Sequence, residues 1–341
     1  MQRQTVLLLF GGESSEHEVS VSSARNIYAA MDDTKYEVDL CFIDKNGRWW
    51  LLDELTSQID THRAPQLIAA LGGKSFVTLP GNRVIVPDVI FPALHGKNGE
   101  DGSVQALAQL LHIPIVGCDM TASAIAMDKL ATKQILAAND ITIVPYETHR
   151  KGQPNPDFNK LSLTLGSPLF IKPTRAGSSV GVSRVDEESQ FVEARNQALK
   201  HSDVVLIERG ITARELEVAV LGNPPNHTTS GVGEIVLKGN FYSYDEKYAA
   251  TSSSQVTIPA VLNEQMAARI KQLASKVYAL LGCKGMARVD FFLSKDGTLY
   301  VNEVNSIPGF TNISMYPKLW REAGIGYPEL IDRLVAAAIK A

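Results

Sequence analysis

Cysteine is scarce in this sequence: Cys41, Cys118 and Cys283 stand far apart, and no pair has C-x-x-C spacing. A disulfide framework and a thiolate zinc site both lack their residues, which points to a reducing compartment. Long apolar runs are lacking too, since none approaches the ~18 residues that a membrane span needs. The run Val6–Phe10 is too short for a signal-peptide core and leads into Gly11-Gly12-Glu13, not into a small-residue cleavage site. The expected location is therefore the cytoplasm, without membrane association. Nor is there a positive surplus, because 33 Lys and Arg face 37 Asp and Glu, for a net charge of −4. Broad attraction to nucleic acid is not expected, although a local basic site is compatible with that balance.

Two nucleotide fingerprints are also missing. The turn Gly11-Gly12-Glu13-Ser14-Ser15-Glu16 lacks G-x-G-x-x-G spacing, which argues against a dinucleotide oxidoreductase. Gly73-Lys74-Ser75 resembles the end of a P-loop, but Ile68 stands where its first glycine is required. No Ser–His–Asp or Cys–His set suggests a protein nucleophile. What is present is ordinary globular material. The 341 residues are 45% hydrophobic and 21% charged, enough for two or three domains of ~100–200 residues.

The pattern along the chain is α/β first and α+β later. Val6–Phe10, Val38–Ile43, Val84–Val86, Val89–Ala93 and Ile113–Val116 read as strands, with helices at Ser20–Met31 and Gln105–Leu111. That alternation predicts a parallel, doubly wound sheet. The middle predicts a helix over Met127–Ala138, strands at Ile141–Pro145 and Pro168–Pro173, and a surface connection at Gly152–Asn159. Further on, Leu216–Leu221, Gly233–Leu237, Met286–Leu293 and Thr298–Val304 read as strands. Between them Leu262, Met266, Ile270, Leu273, Val277 and Leu281 recur at three or four residues, the core face of a helix. The polar stretch Gly239–Thr257 has little periodicity, which suits a lid over a site.

Several segments carry chemistry. Lys172-Pro-Thr-Arg-Ala-Gly-Ser-Ser-Val-Gly181 ends a strand in a lysine and follows it with small residues. Their amides suit phosphate oxygens, although flexible turns use the same residues. Arg288 and Asp290 share one strand face, as do Glu303 and Asn305. If the strands pair antiparallel, two carboxylates and an amide oxygen converge as hard ligands for Mg²⁺; a salt-bridge patch is the alternative. Charges inside apolar strands favour the metal. Glu208 and Glu215 suit a ribose or an adenine amino group, and equally a cap or a surface. His95 and Glu16 follow strand ends, where open α/β sheets bind ligands, but a turn histidine also fits His95.

Taken in order, six segments resemble motifs of the ATP-grasp superfamily, and within it those of the D-alanine–D-alanine ligases. They are Phe10-Gly-Gly-Glu-Ser-Ser-Glu-His-Glu-Val-Ser20, His95-Gly-x-x-Gly-Glu-Asp-Gly102, Ser123-Ala-x-x-Met-Asp-Lys129 and Lys172-Pro-x-x-x-Gly-Ser-Ser-Val-Gly-Val182. Tyr244-x-x-Lys-Tyr248 and Asn302-Glu-Val-Asn-Ser-Ile-Pro-Gly-Phe-Thr311 complete the set, the last running on to Ser314-Met-Tyr-Pro317. The resemblance spans essentially the whole chain.

It implies an ATP-grasp fold in three parts. An N-terminal doubly wound α/β domain (1–120) would bind substrate. A central domain (121–206) and a C-terminal α+β domain (207–341), with its lid at 239–257, would clasp ATP. The implied activity joins two D-alanines through a D-alanyl phosphate, for peptidoglycan precursors. By the same resemblance Lys129 and Lys172 contact ATP phosphates, Glu208, Arg209 and Ile211 form the adenine hinge, and Glu215 takes the ribose. Asp290, Glu303 and Asn305 match ligands of two Mg²⁺ ions, with Mn²⁺ an alternative. Glu16 matches the residue that takes the first ammonium, with Val19 and His95 lining the methyl pocket. Ser178 and Tyr248 match a pair bonding to Glu16 and latching the lid, and Lys247 faces phosphate or carboxylate. Arg288 and the Gly309 amide match oxyanion donors, while Ser314 and Met315 match contacts to the second substrate. A homodimer is also implied.

Departures are minor. Cys118 stands where the family usually has serine, and Ser306 where threonine is common. D-Lactate-using relatives usually lack the Lys247-Tyr248 pair, and D-serine-accepting ones often carry arginine at the position of Met315. A catalytically dead member would lack one of Arg288, Asp290, Glu303 or Asn305, and all four are present.

Overall fold

The computed structural model describes residues 3–236 and 255–340. Its strands form three sheets. The first has seven strands in the order β6-β5-β4-β3-β2-β1-β7. Its centre is parallel: β1 (Gln4–Gly11) lies between β2 (Tyr36–Ile43) and β7 (Val89–Ala93). Such a strand is covered on both faces, which is why Val6–Phe10 is a continuous apolar run. Val6, Leu8 and Phe10 enter one core and Leu7 and Leu9 another, all fully buried. The helices α1 (His17–Ala30) and α2 (Ser103–Leu110) follow β1 and β7.

The sequence pattern covered this parallel centre but, apart from the strand expected at Val84–Val86, not its extension. The strands β3 (Trp49–Leu52), β4 (Gln66–Ala70), β5 (Ser75–Leu79) and β6 (Val84–Ile85) continue the sheet as an antiparallel wing. Most are short and half-exposed, so neither period nor apolar run marks them strongly.

The middle segment differs from expectation at two points. The helix expected over Met127–Ala138 is α4 (Lys129–Ala137), and a further helix, α3 (Met120–Met127), precedes it. Asp128 separates them, since its extended backbone breaks α3 and its carboxylate caps the N–H groups of Leu130 and Ala131. The strand expected at Ile141–Pro145 is a single bridge, Ile143 to Val301. Ile141 and Val144 are apolar because they are buried, without a ladder. The strand instead begins at Tyr146.

The second sheet, β10-β9-β11-β8, is antiparallel. It consists of β8 (Tyr146–Arg150), β9 (Leu169–Pro173), β10 (Ser183–Val185) and β11 (Val204–Arg209), with α5 (Phe158–Leu165) and α6 (Glu188–Ala198) over its own core. The third sheet runs β14-β13-β12-β15-β16. Its strands are β12 (Ala213–Leu221), β13 (Thr228–Val236), β14 (Gln255–Thr257), β15 (Met286–Ser294) and β16 (Leu299–Asn305). The amphipathic α7 (Glu264–Leu280) packs on it through Ile270, Ala274 and Val277. The expected strand end Leu237, and 239–254 of the expected lid, lie outside the described residues; 255–257 pair with β13 as β14.

The helices α8 (Met315–Glu322) and α9 (Tyr327–Ile339) join the first and third sheets. Trp320, Leu319 and Leu334 share one core with Val6 and Phe91 of the first sheet and with Ala219 and Met286 of the third. The first and third sheets are thereby held in fixed relation. Leu9 is fully buried at the centre of β1, so Leu9→Ala should destabilise the fold by about 2–5 kcal/mol. Leu163, 88% exposed on α5, should tolerate alanine within about 0.5 kcal/mol. Urea midpoints of the two variants check both values.

Candidate active site

Two adjoining cavities of about 600 and 160 Å³ open between the sheets, and Lys129, Glu217, Arg288 and Glu303 line both. The larger one contains the end of β9, the β11–β12 connection and the inner ends of β15 and β16. Register pairs β9 antiparallel to β11, and this brings Lys172 to Glu208. Lys172 Nζ is 2.7 Å from one oxygen of Glu208, and Lys133 Nζ is 3.0 Å from the other. Lys133 is 2% exposed, reaches the Val144 carbonyl at 3.3 Å, and lies 5.4 Å from the Tyr146 ring centre.

Burial raises the Glu208 carboxyl, but the two lysines outweigh it and hold the group down at about 2. Burial also depresses the Lys133 amine, against the pull of Glu208. At Lys172 the order reverses, and Glu208 keeps the amine above its usual range despite burial. A surface or capping role for Glu208 is thus excluded by its position. Lys133 was not singled out in the sequence, although its place one turn after Lys129 was legible. Arg209, Ile211 and Glu215 line the same cavity, and Arg209 also donates to the Leu165 carbonyl at 2.6 Å.

A second charge cluster lies on the third sheet. The strands β15 and β16 are antiparallel, with Asp290 opposite Glu303 and Arg288 opposite Asn305. Arg288 makes two 2.7 Å bonds to Asp290 and approaches Glu217 at 2.9 Å. Asn305 donates to Asp290 at 2.9 Å. Lys129 is 3.4 Å from Glu303 and donates to the Ala176 carbonyl at 2.8 Å. Burial opposes the Arg288 charge, yet Asp290 and Glu217 hold it well above its ordinary value. Glu217 is a residue the sequence reading missed. Its signal was a carboxylate within the apolar strand Leu216–Leu221. Among the described residues no group of three or more His, Cys, Asp or Glu side chains is placed to hold a metal. A metal here relies on the mixed set Asp290, Glu303 and Asn305.

The smaller cavity receives residues from all three sheets. Glu16, before α1, accepts a hydrogen bond from Ser178 of the glycine loop. Ser178 and Ser179 both have left-handed backbones, which curls the loop over the cavity. Val19, His95, Gly309, Ser314 and Met315 line the same space. At Gly309 a Cβ would lie 2.6 Å from Ser314 Oγ, so a side chain there would displace the Ser314 hydroxyl. Glu100, another residue not singled out, accepts the Gly96 N–H at 2.7 Å. Burial, and then the Glu16 charge, push its carboxyl up to about 8. Burial lowers His95 against the opposing influence of Glu16. Lys247 and Tyr248 lie outside the described residues.

Residues 5–118 match the family described as D-ala D-ala ligase N-terminus, and residues 135–336 match D-ala D-ala ligase C-terminus. The chain belongs to the D-Ala-D-Ala ligase family. It is 42% identical over 353 residues to D-alanine--D-alanine ligase A of Escherichia coli (strain K12), covering 100% of this chain and 97% of that protein. It is 43% identical to D-alanine--D-alanine ligase of Sodalis glossinidius (strain morsitans), covering 98% and 95%. Among solved structures, the D-alanine-D-alanine ligase from Coxiella burnetii superposes with a TM-score of 0.90 at 35% identity, covering 100% and 95%. VanG D-Ala:D-Ser ligase from Enterococcus faecalis also gives 0.90, at 33% identity, covering 99% and 100%. The ATP-grasp fold expected from the motifs is thereby established. Among the described residues, no helix is long and apolar enough to cross a membrane.

Two outcomes follow from the charges. Lys133→Met should cost about 3–5 kcal/mol, since it leaves buried Glu208 with one cation. Adding Glu208→Gln should recover part of that loss, as a double-mutant cycle in urea would show. Glu100 has a raised folded value, so its contribution is full below its unfolded value near 4.5 and is lost as pH rises through about 8. Glu100→Gln should therefore melt above the wild type at pH 9, with the advantage vanishing toward pH 5.

Proposed function

We propose that the chain is an ATP-dependent ligase that joins two D-alanines into D-alanyl-D-alanine through a D-alanyl phosphate, for peptidoglycan precursor synthesis. The observation that carries this reading is the meeting of the Glu16–Ser178 contact, the Lys129 and Lys172 amines, and the Arg288–Asp290–Glu303–Asn305 cluster around connected cavities. Full-length family membership supports it. In this reading domains 1–120, 121–206 and 207–341 contribute the substrate pocket and the two jaws around ATP.

The chemistry needs no protein nucleophile. A carboxylate oxygen of the first D-alanine attacks the γ-phosphorus of ATP, and ADP leaves. The amine of the second D-alanine attacks the acyl carbon, loses a proton, and phosphate departs from the tetrahedral intermediate. Glu16 takes the first ammonium, with Val19 and His95 against its methyl group. Lys129 and Lys172 neutralise phosphate oxygens, Glu208, Arg209 and Ile211 hold the adenine, and Glu215 takes the ribose. Arg288 and the Gly309 amide stabilise the developing oxyanion, while Ser314 takes the second carboxylate. Tyr248 and Lys247 complete the latch and phosphate contacts from the lid, which excludes water from the acyl phosphate. Positioning and charge stabilisation account for the rate.

The donor set fits a hard divalent cation. Two carboxylates and an amide meet on paired strands, and Arg288 and Lys129 already lie against the carboxylates as positive charges. Asp290, Glu303 and Asn305 would hold two Mg²⁺ ions, or Mn²⁺, which would supply positive charge against the phosphates. The partners are small molecules, and the working unit in this reading is a cytoplasmic homodimer.

Met315, 5% exposed, offers the second substrate an apolar wall. A hydroxyl left unpaired against it costs ~1–3 kcal/mol, up to roughly a hundredfold. The acceptor is therefore D-alanine, with D-serine poor. Phosphate release from Mg-ATP with D-alanine, L-alanine, D-serine or D-lactate, with product masses, tests the reading. Release with D-alanine and a dipeptide product is expected; no release with any of them contradicts it. Arg288→Lys keeps the charge beside Glu217 and Asp290 but loses the paired geometry. It should lower kcat by about 10²-fold with the circular dichroism spectrum unchanged.

A further inference from the structure

The loop after β16, which carries Gly309, is gripped at one residue from three directions. The Phe310 N–H donates to Ser23 Oγ at 3.2 Å. The Phe310 carbonyl accepts from Asn26 Nδ2 at 2.9 Å and from the Tyr327 hydroxyl at 2.6 Å. Ser23 and Asn26 lie on α1, in the N-terminal part of the chain, and Tyr327 opens α9. The Phe310 ring is 1% exposed and meets Phe91 and Tyr327 edge-on at 6.2 and 6.0 Å.

The grip extends into the smaller cavity. Ser23 Oγ is 3.0 Å from His95 Nε2, and the His95 ring also bonds the Ile307 backbone. Ser23 Oγ can accept the Phe310 N–H and still offer its own proton to Nε2. A neutral His95 with its proton on the other ring nitrogen satisfies both of its contacts. Residues 307 and 310 are thus stitched to one histidine and one serine, on either side of Gly309. Burial favours that same neutral form of the ring. Ser23, Asn26 and Tyr327 are not among the residues lining either cavity.

This arrangement answers a problem that Gly309 creates. Glycine is the residue least restrained by its own sterics, whereas an oxyanion donor works by being aimed before the reaction. We propose that Ser23, Asn26 and Tyr327 are positioning residues that fix the direction of the Gly309 amide and tie it, through His95, to the first-substrate pocket. The proposal rests on the ligase reading of Gly309. It assigns a purpose to polar groups that touch no substrate. It also separates the two chemical steps: the first places new charge on the phosphoryl group, and the second places it on the acyl oxygen that Gly309 faces.

Asn26→Ala, Tyr327→Phe and the double variant test this with Mg-ATP and D-alanine. Each single change should lower kcat about 3- to 10-fold, and the pair by more than the product, since the Phe310 carbonyl then loses both donors. The KM for ATP should stay within about twofold. D-Alanine-dependent exchange of ¹⁸O between the β,γ-bridge and non-bridge positions of ATP, which reports the first step alone, should keep the wild-type rate. A double variant with kcat within twofold of wild type would overturn the proposal. So would equal losses in exchange and ligation, which mark a merely structural role. If the double variant does not fold, Tyr327→Phe alone gives the same split, since it removes a single oxygen. A wild type that makes no dipeptide contradicts the ligase reading itself and takes the proposal with it.

Discussion

A carboxylate taken out of water must meet positive charge or keep its proton, and the interior of this molecule is arranged around that requirement. Glu16, Glu208, Glu217 and Asp290 are all less than 9% exposed. Left alone, each would cost several kcal/mol or neutralise. Glu208 is held by Lys133 and Lys172, and Arg288 is inserted between Glu217 and Asp290. Glu100 takes the other course and holds its proton to about 8. Buried ion pairs are seldom the most stable filling for a core. Their concentration here is explained by what a ligase of this family must receive: the polyanion ATP and two zwitterions. The cations are in place before the ligand arrives, so little reorganisation is left for the reaction.

The fold meets this requirement by bringing three sheets to one place. The first contributes Glu16 and His95 from the ends of its parallel strands. The second contributes Lys172, Ser178 and Glu208, and the third Arg288, Asp290, Glu303 and Asn305. No single sheet holds a complete set. The apolar core shared by β1, β7, β12, α8 and α9 keeps the first and third in register, and the Ser23–Phe310 bond crosses the same junction. Stability and chemistry are therefore linked, because a shift between sheets would separate charges before it exposed much apolar surface.

Much of this was legible in the residues. Val6–Phe10 and Val89–Ala93 announced a parallel centre by their unbroken apolar character. The period-two placement of Arg288 with Asp290, and of Glu303 with Asn305, anticipated the antiparallel pair that unites them. The six motifs gave the family and the candidate site together. What stayed hidden was non-local. Lys133 looks like any helix lysine until Glu208 arrives from β11, and Glu100 looks like a loop carboxylate until Glu16 closes beside it. Ser23, Asn26 and Tyr327 belong to no motif, since their meaning lies in one carbonyl and one amide far along the chain. The strands β3–β5 were missed because they are short and half-exposed. The helix expected from Met127 begins two residues later because Asp128 caps it from an extended backbone.

The central claim is that the acidic pair on β15 and β16 is built to be completed by a divalent cation carrying nucleotide. Calorimetric titration of ATP, with Mg²⁺ and then with excess EDTA, tests it in the wild type and in Asp290→Asn. The account predicts that the wild type loses at least about tenfold in affinity without Mg²⁺, near 1.4 kcal/mol, and that the variant binds weakly in both conditions. Equal affinity with and without the cation, or a variant that keeps the full Mg²⁺ dependence, would contradict it.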